Sequence, residues 1–194
     1  MPEQATTTRP APPVPEPDAL PGAGKPADLT ARVAVHPSAA IRPVPPFIFS
    51  VPAGWVLDEA PDALVVARTA EQVDGFWVNA ILSHDRVPRA VDFKEAAQAT
   101  WSRLRQSSPS ARVTMERLAR FGPNVVYLRG VELSAPRSGR PLAQMHALFF
   151  APTGDEGKTV DFFQLIATSP LDHMETYGPA FVELVGSFRF TGPS

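Results

Sequence analysis

One abrupt change along the chain limits what it can fold into. Residues 1–46 hold 12 of the 23 prolines, four acidic residues balanced by four Lys or Arg, and no Phe, Trp or Tyr. Such a stretch cannot bury enough apolar surface to offset the entropy of ordering it. It reads as a disordered proline-rich tail, a spacer or tether, although runs such as Arg9-Pro-Ala-Pro-Pro-Val-Pro15 favour polyproline II and suit an aromatic groove. All 12 Phe, 3 Trp and 2 Tyr come later. A folded unit is therefore expected over residues 47–190, followed by a short tail at 191–194.

A unit of that length buries about 70% of its unfolded surface, enough for one core and too little for two full-size domains. From Phe47, β-rich segments alternate with turn chemistry. Phe47–Val51 stops at Pro52-Ala-Gly54, and Ala63–Thr69 and Phe76–His84 follow at short spacing, which predicts an antiparallel meander of those three strands. Next comes the clearest helix, with Asp92 as its cap, Glu95 three residues on, and Phe93, Ala97, Trp101 and Leu104 at helical spacing. Strands are then expected at Arg112–Arg120, Val125–Ser134, Ala143–Ala151 and Thr159–Ser169, divided by turn-rich linkers. Over Asp172–Gly186, Met174, Tyr177, Phe181 and Leu184 form a second helical stripe, with Gly178-Pro179 predicting an ordered start at Pro179. Ser187–Phe190 closes the unit. The class is α+β: a mainly antiparallel sheet of about seven strands flanked by two principal helices.

Charge and composition narrow the function. A net charge of −2, from 18 basic and 20 acidic residues, gives no field to attract nucleic acid or an anionic membrane. With no cysteine there is no disulfide frame, thiolate metal site or thiol nucleophile. The opening residues lack a basic start and an apolar run, and no segment approaches the ~18 apolar residues that a membrane span needs. The expected location is therefore cytoplasmic, or exported or at the cell envelope if a leader has been removed.

The order of Pro52-Ala-Gly-Trp55, Phe76-Trp-Val-Asn79, the helix after it and Ser187-Phe-Arg-Phe190 resembles the LpqN/LpqT group of actinobacterial proteins, within the wider Mog/PsbP-like fold. The resemblance implies an α/β/α sandwich and an accessory or binding role, and it carries no catalytic residue across. Members of the group are often exported lipoproteins with a leader and a lipidated cysteine, whereas others sharing the fold act as intracellular chaperones for secreted effectors. A sequence without a leader fits the second branch at least as well as the first.

Chemistry finds little footing. Pro21-Gly-Ala-Gly-Lys25 has Ala19 and Pro26 where a P-loop needs Gly and Ser or Thr. His36, His84, His146 and His173 are scattered, and only His173 and Glu175 lie close enough to suggest a metal pair, with no third ligand. No Gly-x-Ser-x-Gly elbow occurs. His84 and Asp85 point to opposite faces of one strand, and Asp155-Glu156 sits in a turn. His146, on an otherwise apolar strand, reads as a histidine satisfied by one hydrogen bond rather than as a general base. No cofactor, no metal and no enzymatic activity are expected.

The remaining signal is a mismatch of areas. Ala63–Ala67, Ala147–Ala151 and Phe162–Ala167 are apolar on both faces of their strands, so both faces need cover. A seven-stranded sheet is roughly 30 Å wide, whereas two helices shield about 20 Å in total. The rest must be covered by loops, the tail, a second copy or a hydrophobic partner, and a leftover apolar strip is the mark of a binding face. Trp55, Trp77 and Trp101 read either as core anchors or as its lining, and His146 joins them as a partner-binding candidate. The expected function is a non-catalytic, chaperone-like protein that covers an apolar segment of a partner protein, with a carrier of a lipid or small apolar ligand as the alternative.

Overall fold

Short β segments divided by tight turns satisfy their backbone groups most simply as hairpins. A computed structural model, describing residues 43–152 and 157–191, shows a sheet built in that way. The elements are β1 Phe47–Ile48, β2 Trp55–Asp58, β3 Val65–Thr69, β4 Asn79–Pro88, α1 Phe93–Ser107, β5 Arg112–Phe121 and β6 Asn124–Ser134. They continue with β7 Pro141–Phe150, β8 Thr159–Pro170, a 3-10 turn at Leu171–His173, α2 Met174–Ser187 and β9 Arg189–Phe190. Arg9–Pro15, Pro21–Lys25, His36 and Asp155-Glu156 lie outside the described residues.

Seven strands form one antiparallel sheet in the order β2-β3-β4-β8-β7-β6-β5. After β4 the chain crosses through α1 to the far edge and returns by hairpins, so β8 lands between β4 and β7. Alternation along the strands then assigns each layer. Ala147, Phe149, Phe163 and Leu165 cluster with Phe181, Leu184 and Val185 of α2. Leu148 and Phe162, one position over, cluster with Ala96 and Ala97 of α1 on the opposite face. The two-faced strands are thus the centre of a sandwich, with the larger core under α2.

Three expectations are corrected in detail. Phe47–Val51 does not enter the meander: β1 pairs with β9 as a separate ribbon, Phe47 opposite Phe190. There Phe47 stacks on Phe188 at 5.4 Å and meets Phe163 edge-on at 5.8 Å, burying more aromatic surface than a sheet edge would offer. The first meander strand is β2, which starts just past the turn at Gly54, where φ is +77°. The third begins at Asn79 rather than Phe76, because Asp74 and Gly75, both at positive φ, close a tight turn in which Val73 and Phe76 exchange backbone hydrogen bonds. The second helix starts at Met174 and runs through Pro179, which costs it one internal amide bond.

The Asp92 side chain accepts a 2.9 Å hydrogen bond from the Glu95 amide, satisfying an otherwise orphan donor of α1. Asp92→Ala is expected to lower stability by about 1 kcal/mol, read as a shift in the urea midpoint with an unchanged slope. Among the described residues no helix is long and apolar enough to cross a membrane.

Candidate functional site

α1 packs on β6, β7, the near end of β8 and Val87 at the end of β4, so among the described residues no helix lies over β2, β3 and the start of β4 on that face. Register defines what lies there. Val56, Val66, Ile81 and Ile166 fall in adjacent rows, through the pairs Val56–Arg68, Val66–Ile81 and Ile81–Ile166. Their polar neighbours on the same face are Ser83, Gln164 and Gln144. Leu64 is 40% exposed, Ile81 40%, Trp77 38% and Val56 37%. Arg68 places its guanidinium 4.2 Å from the Trp77 ring and pairs with Asp58, so one edge of this apolar face carries a cation held over an aromatic.

The bare face runs into an open groove of about 980 Å³ between β4 and α1. Its floor includes Phe162 and Val87, its helical wall Ala96, Ala99 and Thr100, and Asp85, Glu95 and Arg103 also line it. An apolar floor beside charged side chains is the chemistry of a groove that takes an amphipathic chain.

The four candidate residues do not come together. Trp77 lies at the bare face. Trp55 belongs to the other layer, meeting Phe181 edge-on at 6.1 Å. Trp101 packs beside Leu104, Val131 and Leu133, with the Arg129 guanidinium 5.3 Å from its ring. His146 is only 3% exposed. Its Nε2 pairs with Gln144 Oε1 at 2.9 Å, leaving Nδ1 without a partner among the described residues. Burial first, and the positive charge of Arg129 second, push its pKa down from 6.5 to about 4.

Arg129 sits opposite His146 in register and is itself buried, giving hydrogen bonds to Glu116 at 2.7 Å, to the Ala97 carbonyl at 2.9 Å and to the Tyr127 hydroxyl at 3.3 Å. These tie α1 to the sheet. Burial is also the main reason that the Tyr127 pKa is raised.

His84 finds a carboxylate that local sequence could not reveal. Asp161, on the paired strand β8, accepts from Arg86 at 3.0 Å and lies 2.9 Å from His84 Nε2. His84 and Asp161 side chains are 11% and 3% exposed, and the cluster ties β4 to β8. His173 meets Asp74 at 2.7 Å and Asp172 lies nearby, whereas Glu175 is not in that group. The Arg140 guanidinium, 3.7 Å from Asp74, already supplies positive charge there. Sequence reasoning missed β2 and the outward row Ile81-Ser83-Asp85, although alternation through Asn79–Asp85 carried the signal.

No family model and no curated protein matches the chain. Solved structures do. LpqN of Mycobacterium tuberculosis, described as involved in cell envelope biogenesis, matches with a TM-score of 0.63 at 17% identity, over 76% of this chain and 84% of LpqN. Cyanobacterial PsbP from Synechocystis sp. PCC 6803 matches at 0.52 and 14% identity, over 75% and 86%. PA94 from Pseudomonas aeruginosa matches at 0.50 and 12% identity, over 73% and 100%. The seven-stranded antiparallel sheet between α1 and α2 is therefore the fold of LpqN and PsbP, the one that the resemblance in sequence implied.

Proposed function

We propose that the chain is a non-catalytic binding protein that covers an apolar segment of a partner protein with the bare half of its sheet and the adjoining groove. One observation carries this reading: α1 shades β6 and β7 but leaves Val56, Leu64, Trp77 and Ile81 each 37–40% exposed on a single face. Covering an aliphatic side chain exposed to that extent returns up to about 1 kcal/mol, so a few anchors with a polar rim suffice for a micromolar contact. In this reading residues 47–190 form the binding domain and residues 1–46 a tether.

Photocrosslinking tests it. A photoreactive amino acid at Ile81 in the producing cell is expected to capture one discrete polypeptide, whereas the same probe at Val182, 50% exposed on α2 in the other layer, captures none. Identical products at both positions, or none at Ile81, would refute the reading. The groove volume of about 980 Å³ favours a second reading, a small apolar ligand. Native mass spectrometry separates the two, since only a carrier retains a bound small mass after purification.

A further inference from the structure

We propose that two copies of this chain pair through β5, edge to edge and antiparallel about a twofold axis at Leu118, so that two seven-stranded sheets become one continuous sheet. β5 is an edge strand of 10 residues, against four in β2 at the other edge. It contains no Pro to remove an outward amide, and its charges, Arg112, Glu116, Arg117 and Arg120, are of both signs, so a second strand can meet them with opposite charge. A shift in register between Val113 and Met115 leaves Met115–Phe121 as the regular stretch. Leu118, in its middle, is 61% exposed, the most exposed large apolar side chain among the described residues.

Hydrogen-bond alternation restricts the register. The two-residue link Gly122-Pro123 makes Phe121–Asn124 the closing pair of the β5–β6 hairpin. From there Ala119, Arg117 and Met115 turn their backbone groups toward β6, and Arg120, Leu118 and Glu116 turn theirs outward. A twofold axis at Glu116, Arg117 or Arg120 sets a charge against its own copy, which is unfavourable. An axis at Ala119 faces Leu118 with Arg120 and Glu116 with Gly122.

Only the axis at Leu118 satisfies all three side chains. It pairs Leu118 with its copy, faces Glu116 with Arg120 twice on the α1 side, and faces Met115 with Phe121 on the α2 side. Glu116 binds Arg129 through Oε1 and keeps its side chain 44% exposed, and Arg120 has no ion pair among the described residues. Leu118 also borders a cleft of about 540 Å³ whose lining includes Phe93, Trp101 and Tyr127, and its copy would cover this cleft. The bare β2–β4 face, at the opposite edge, stays free.

Sedimentation equilibrium of the full chain, with engineered cysteines on a background that has none, decides the matter. The wild-type chain is expected to sediment as a dimer. Leu118→Cys should cross-link to itself under mild oxidation, the paired Cα separation lying within disulfide reach, whereas Ala119→Cys should not. Leu118→Pro removes an outward amide without taking a bond from β6 and should give monomers with an unchanged circular dichroism spectrum. Arg120→Glu, which leaves the strand intact, should raise the dimer dissociation constant about tenfold or more. A wild-type monomer at ~1 mM, a dimer unaffected by either substitution, or cross-linking at Ala119 in place of Leu118 would overturn the proposal.

Discussion

Replacing Phe188 with alanine is expected to remove about 4 kcal/mol from the unfolding free energy. Phe188 is 0% exposed, at the junction between α2 and β9. Its ring lies 4.7 Å from Phe149, 5.4 Å from Phe47, 6.0 Å from Phe163 and 5.1 Å from Phe190, measured between centroids. Truncation thus leaves a cavity that four other rings cannot fill without leaving their own contacts. Natural domains keep only about 5–15 kcal/mol in hand, so the variant should unfold at a much lower urea concentration. The β1–β9 ribbon should loosen first, seen as faster amide hydrogen exchange at Ile48 and Phe190. A loss below about 1.5 kcal/mol would mean that the ring cluster relaxes around the gap and does not act as a unit.

Stability should also fall sharply in mild acid, with His146 as the main source. Its pKa is 6.5 when the chain is unfolded and about 4 when it is folded, because the buried imidazole resists charging beside Arg129. Below pH 6.5 the unfolded chain takes up a proton that the folded chain refuses, so unfolding gains as pH drops. The loss accumulates between pH 6.5 and about 4, reaches about 3 kcal/mol, and then levels off. His146→Leu should flatten that part of the curve, at the cost of Gln144's partner on Nε2. Urea titrations of both proteins at a series of pH values measure it, and equal slopes for the two would show that another group controls the acid response.

Much of the sheet was legible because strand alternation and turn chemistry are local. β5 to β8 begin and end close to where Gly-Pro, Ser-Gly and the residues around them place them, and Asp92 caps α1 where the Asp-x-x-Glu spacing put it. What failed to show was whatever depends on register between distant segments. Phe47 looked like the start of a meander because nothing nearby indicates a partner 143 residues away at Phe190. His84 was weighed against Asp85, its neighbour, although the carboxylate that holds it is Asp161, 77 residues on. The apolar surplus on both faces was visible in Ala63–Ala67 and Phe162–Ala167, but which strands stay bare follows from strand order. That order turns on β8 entering the middle of the sheet, which no local pattern announces.

That central position of β8 also governs how the chain must be made. Synthesis releases β2–β4 and then β5–β7 as two separate groups before the strand that joins them, and each waits with the long edge that β8 will fill still open. The nascent polypeptide cannot close its sheet until β8, the last of the seven strands in chain order, has left the ribosome, a late and non-local step that slows assembly. A truncation that removes β8 would therefore leave two unjoined fragments with sticky borders instead of a smaller working protein.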